Sequence, residues 1–371
     1  MYRRLLLFVC ALAVIAGCAP RFSTFKNTAP ATGFVQHRVN ASGNAVLESG
    51  AVAIDTILFE RKLNGGMAAQ VVGNQQFLVV PTFNKRIYFL NPSTGREITS
   101  LETESAVGSA AAVQHELIYF AEESGSDQVT CFNLVNGKKV WSLKVVDPPG
   151  PPIISGDELF ITSRIGKVIC ANRWTGVVQW EQDLHCHFYA PVAADSARVY
   201  VGTDRGDIVA VSRSDGNELW RFAAGSTVFA QPLADQLIYV GTGAGTLWAL
   251  DPASGSEIWR YDCVSSIHTT PVLRENRLIF GADDRVAYCL NAQDGELLWR
   301  YETTGIIQSS PIIAGEMVIL ANSAGSIYQF NLDGQLLSQL SVKGTIQAPA
   351  AVIDGKVYVV TTQRRLYCLG R

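Results

Sequence analysis

The sequence predicts an all-β fold: an eight-bladed β-propeller of four-stranded antiparallel blades, closed by an N-terminal strand. Three observations predict it. A turn ending in glycine and followed by tryptophan recurs along the chain, the stretch between copies reads as four short strands, and the two chain ends carry complementary parts of one further copy.

The repeat is seen as NGKKVW (Trp141), TGVVQW (Trp180), DGNELW (Trp220), SGSEIW (Trp259) and DGELLW (Trp299). TGREIT and DGQLLS are degenerate copies, with Thr99 and Ser338 in the tryptophan position. The turn glycines Gly95, Gly137, Gly176, Gly216, Gly255, Gly295 and Gly334 fall at intervals of 39 to 42 residues. In the fourth unit APVAADS reads as the inner strand, ARVYVGT as the second, GDIVAVSR as the third and NELWRFA as the outer one. Each is short, rich in β-branched and aromatic residues, and bounded by Gly, Asp, Asn or Ser. A tryptophan at a fixed outer-strand position is expected to fill the wedge between neighbouring blades, with its N–H on a backbone acceptor. Replacing Trp220 by Ala is then expected to cost roughly 3–5 kcal/mol.

The ends supply the eighth blade. APAAVIDGKVYVVTTQRRLYCLGR provides three strands and stops at Arg371, whereas Asp55 to Leu63 (DTILFERKL) reads as an outer strand with nothing before it. Phe59 lies one repeat length before Thr99, so pairing the two ends closes the ring and removes exposed sheet edges. The propeller is expected to span residues 55–371.

Upstream, residues 1–17 carry Arg3 and Arg4, an apolar run from Leu5 to Ala16, and small residues before Cys18. That run is too short to span a bilayer and reads as a signal peptide. Ile15-Ala16-Gly17-Cys18 resembles the bacterial lipobox, which implies lipidation of Cys18 and membrane attachment through acyl chains alone. Residues 18–54, rich in Ala, Ser, Thr, Asn, Pro and Gly, read as a flexible tether.

The chemistry legible in the residues is sparse. With 48% hydrophobic and 17% charged residues and a formal net charge of −3, the chain has a globular composition without a basic stripe, so no nucleic-acid partner is expected. Cys131, Cys170, Cys289 and Cys368 occupy one third-strand position, where other blades have Ala210 and Ala249, and read as small buried hydrophobes out of disulfide reach. Cys186 and Cys263 lie in loops. His185, Cys186 and His187 sit at one blade entrance and His268 at another, but no carboxylate or C-x-x-C completes a zinc set, and no metal or cofactor is expected. No nucleophile elbow, zinc-protease motif or phosphate loop is present.

VYVGTDRGDIVAVSRSDGNELW and IYVGTGAGTLWALDPASGSEIW resemble the pyrroloquinoline-quinone repeat, over residues from about 55 to 371. Together with the lipobox and the short tether, the chain resembles BamB-like lipoproteins that assist outer-membrane protein assembly. The resemblance implies a non-enzymatic periplasmic scaffold anchored in the outer membrane, a direction Ala19 favours. It would work as a single propeller within a larger complex, with a BamA-like protein or another envelope protein as partner. In that family the partner binds loops entering the inner strands of central blades. Their equivalents are residues 185–191 and 225–232, where the family's Leu/Arg-Gly pattern and paired aspartates are missing. Candidate contacts are Phe188, Tyr189, Phe229, His268 and Gln308, since aromatic residues at a funnel mouth are typical interface anchors. A blade edge or the mouth is a candidate for pairing with a partner strand. The rival readings are a quinoprotein dehydrogenase, for which the adjacent cysteine pair is missing, and a propeller binding a small molecule or polysaccharide in its funnel.

Overall fold

The computed structural model describes residues 40–48, 53–67, 69–125 and 128–371. Residues 1–17, Cys18 and the rest of the expected tether up to residue 39 lie outside the described residues. Among the described residues there is no helix long and apolar enough to cross a membrane.

Eight sheets follow one another around an axis. Blades 1 to 7 span 72–102, 112–143, 153–183, 193–223, 233–262, 272–302 and 312–341; blade 8 combines 351–370 with the strand Thr56–Lys62. In blade 4 the inner strand is Ala193–Ala194, followed by Arg198–Gly202, Asp207–Ser212 and the outer strand Glu218–Ala223. The middle strands are nearly continuous hydrophobic runs because both of their faces meet neighbouring blades. Val199, Tyr200, Val209 and Ala210 are fully buried, whereas the outer strand alternates towards solvent.

The tryptophans sit in the interblade wedges as their periodicity requires. Trp141, Trp180, Trp220, Trp259 and Trp299 donate their indole N–H to Arg173, Arg213, Pro252, Ala292 and Leu332 carbonyls of the following blade, at 2.8–3.0 Å. Each ring also covers the next blade's turn glycine: a Cβ on Gly176, Gly216, Gly255, Gly295 or Gly334 would lie 2.5–2.7 Å from it. That close approach, with φ between +72° and +84°, is why glycine recurs. Directly across the ladder from Trp141, Trp180 and Trp299 stand Cys131, Cys170 and Cys289, where Trp220 and Trp259 face Ala210 and Ala249.

Closure follows the expected pairing. Thr56–Lys62 runs antiparallel to Arg365–Gly370, with Phe59 opposite Cys368, and Asp55 extends the ladder through its N–H to Gly370 O at 3.2 Å. Phe59 covers Gly95 of blade 1 as a tryptophan does elsewhere.

Two features go beyond the periodicity. Every outer strand carries a bulge that skips one residue: Leu58, Ile98, Val140, Gln179, Leu219, Ile258, Leu298 or Leu337. A bulge turns the next side chain into the wedge and breaks the flat edge that would template pairing with other chains. The described part of the expected tether is also not loose. Val46–Leu47 adds to blade 7 in parallel, and Ala45 and Ile54 are fully buried. Backbone bonds and small buried residues hold this segment, and neither leaves a period in the sequence.

Candidate functional site

Each inner strand is entered at the same end of the ring, and these entrances surround the funnel mouth. At successive entrances a fully buried hydrophobe precedes a residue that faces the funnel: Phe188 before Tyr189, Val228 before Phe229, Ile267 before His268, Ile307 before Gln308. Gly202, Gly241 and Gly281 make room for the last three hydrophobes, since a Cβ there would fall 2.1–2.3 Å from the Val228, Ile267 or Ile307 side chain.

Four of the five sequence candidates therefore form one arc, and Phe188 does not join it. Phe188 is fully buried in a core cluster with Phe160 and Trp180 and is an interior anchor, not a contact residue. Alternation in the loop explains why: Cys186 and Phe188 point inward, while His185, His187 and Tyr189 point outward. Tyr189 is 43% exposed.

The arc is a continuous series of contacts. The Arg164 guanidinium lies 5.8 Å from the Tyr189 ring centre, Tyr189 is 5.6 Å from Phe229, and Phe229 stacks on His268 at 4.4 Å. Asp283 ties the far end, with its carboxylate 3.4 Å from His268 Nε2 and 3.4 Å from Gln308 Nε2. Asp147, 3.0 Å from Arg164 Nε, anchors the near end. Further apolar side chains on the same face, Phe83, Val146, Ile165, Val264 and Ile306, are exposed around the rim. Aromatic rings held in place by mutual contact beside exposed apolar side chains suit recognition of a partner surface, because the rings lose little freedom on contact.

Below the arc is a cavity of about 210 Å³, lined by Gln70, Ser109, Tyr189, Phe229, Gln231 and His268 among others. Gln231, which no motif singled out, donates its Nε2 to Val192 O at 2.6 Å and leaves its buried Oε1 without a partner. Buried amide oxygens are normally satisfied, so this acceptor marks a place where a donor fits.

The other reactive side chains are dispersed. His185 pairs with Asp183 at 3.3 Å and His187 with Asp204 at 3.1 Å. Burial works against the Asp204 carboxylate, but hydrogen bonds from the His187 backbone and ring outweigh it and hold its pKa below the ordinary value. Burial pushes the Cys186 thiol up to about 11, so it is a poor nucleophile at neutral pH. Among the described residues no three His, Cys, Asp or Glu side chains gather as metal ligands, and all six cysteines are free thiols.

The sequence model of a family described as outer membrane protein assembly factor BamB matches residues 29–186, 164–236 and 204–371. No curated protein matches the chain. Among solved structures, BamB from Moraxella catarrhalis aligns with a TM-score of 0.72 at 16% identity, covering 85% of this chain and 99% of that one. The computationally designed Ika8 protein aligns at 0.73 and 15% identity, over 88% and 99%. At such identities the structural likeness speaks for the fold alone.

Proposed function

This chain belongs to the family of the outer membrane protein assembly factor BamB, and from that membership we propose that its propeller is a docking scaffold in outer-membrane protein assembly. The docking surface is the mouth arc of Tyr189, Phe229, His268 and Gln308, extended by Arg164 and the apolar rim. The partner is a BamA-like barrel-assembly protein or another envelope protein. The role is binding rather than catalysis. Lipidated Cys18 would hold the domain at the outer membrane, facing the periplasm.

The observation that carries this reading is the stacked arc, with Tyr189 exposed and Phe229, His268 and Gln308 half-buried, which concentrates on one face the groups that typically anchor interfaces. The bulged outer strands argue against blade edges as the docking site, because a bulge interrupts the ladder that an added strand needs. The test is affinity purification from detergent-solubilised envelope with the wild-type chain and with Tyr189→Ala/Phe229→Ala. The wild type is expected to bring down a barrel-assembly component and the double variant, still folded, to lose it. Recovery of none by the wild type, or equal recovery by both, contradicts the proposal.

A second reading rests on the cavity under the arc and the free Gln231 acceptor: a small polar ligand such as a cell-wall fragment in the funnel. A rise in melting temperature with such fragments, abolished by Gln231→Leu, would support it.

A further inference from the structure

We infer that the axial edges of blades 4 to 7 form a binding site for a short peptide that opens on a turn and ends as a strand, of which residues 40–48 are the built-in occupant. The segment crosses four blades. Ala194 N–H and Ala234 N–H donate to Ala41 O and Ser42 O, both at 2.8 Å, and Ile313 N–H and Gly315 N–H to Ala45 O and Leu47 O, both at 2.9 Å. At blade 6 the Asn44 side-chain amide replaces the backbone, accepting from Leu273 N–H at 3.1 Å and donating to Leu273 O at 3.0 Å. Val46 and Leu47 then pair in parallel with Ile313 and Ala314.

The site selects chemistry as well as shape. Gly43 has φ +80°, and a Cβ there would lie 2.6 Å from Pro232 O. Ala45 is fully buried against the inner strands, so only a small side chain fits. At the end of the segment Arg274 lies 3.5 Å from the Glu48 carboxylate. The ligand class is thus a short peptide with a turn at small-small-Gly, then Asn-Ala, a strand-forming aliphatic pair and an acid.

Occupancy of this kind is exchangeable. Small side chains bury little apolar surface, while nine residues must be ordered to sit there. Adding a strand to a free sheet edge is a general mode of peptide capture, and these inner edges escape the bulges that interrupt the outer ones. A strand of this pattern from a second copy of the chain would therefore compete for the same edges. This inference is independent of the docking role of the mouth.

The test uses the full chain with a specific protease site placed within residues 49–52 and cut after folding. A fluorescent peptide of residues 40–48 is added and its anisotropy followed, with circular dichroism confirming that the propeller stays folded. The cut protein is expected to take up the labelled peptide. An Asn44→Ala peptide, lacking both side-chain bonds, should compete about tenfold more weakly. Uncut protein, whose own segment is present at high effective concentration, should take up far less. No uptake by folded, cut protein, equal competition by the Asn44→Ala peptide, or unfolding on cutting would each overturn the inference, the last by making the segment a structural staple.

Discussion

Trp259→Ala removes one of the side chains that fill the wedges between blades, and its cost can be worked from the structure. The ring is 8% exposed, packs against Tyr239 at 5.8 Å and covers Gly295 of the next blade. A tryptophan buries about 200 Å², which at about 25 cal/mol/Å² corresponds to about 5 kcal/mol for the whole side chain, part of which Ala retains. The lost bond from its N–H to Ala292 O costs about 1 kcal/mol, and that carbonyl keeps the Tyr239 hydroxyl at 2.9 Å, so it is not orphaned. The expected loss is about 3–5 kcal/mol for Ala and about 1–2 kcal/mol for Phe, which keeps a ring in the wedge. Urea unfolding followed by far-ultraviolet circular dichroism measures both as shifts in midpoint at constant slope. An Ala variant within about 1 kcal/mol of wild type would refute the wedge argument. Trp220, only half-buried, should lose less.

Gly216→Ala places a Cβ 2.5 Å from the Trp180 ring at φ +77°, and is expected to destabilise by about 1–3 kcal/mol in the same assay; a neutral result contradicts the close-approach account. Glu122 has its pKa raised by burial, against hydrogen bonds from the Ser105 and Glu104 backbone N–H groups. Folded protein therefore holds a proton that unfolded protein releases, so stability declines as pH rises from the ordinary glutamate value through the raised one. Glu122→Gln should flatten that part of the pH profile, and identical slopes would count against it. Burial lifts the Cys131, Cys170 and Cys289 thiols to about 12. A thiol reagent at pH 8 should label these three only after denaturant is added, and rapid labelling of folded protein would contradict their buried placement.

The blade count, the closing strand and the cysteine positions were legible because each leaves a side-chain period. A glycine under a tryptophan ring, with Cys or Ala opposite that ring, recurs in five of the eight blades. Phe59 was readable for the same reason, one repeat length before Thr99. The segment 40–48 was not, since its bonds come from backbone atoms and from the amide of Asn44, which side-chain patterning does not record. The bulges were hidden too: Leu219 or Ile258 reads as an ordinary alternating strand residue until the ladder shows it skipped. At the mouth, the four candidates that line the arc share one register, each following a buried hydrophobe. Phe188 reads as a mouth residue by its aromatic type, but by position it aligns with the buried Val228, Ile267 and Ile307. Gln231 gave no signal, because its significance lies in an acceptor left unpaired by three-dimensional packing.

A photo-crosslinking amino acid at Tyr189, compared with one at Val177, which is 62% exposed on a turn at the opposite face, tests the mouth as the docking surface most directly. In intact envelopes the Tyr189 probe is expected to capture a barrel-assembly protein and the Val177 probe not to. Capture from Val177 alone, or equally from both positions, would contradict the assignment.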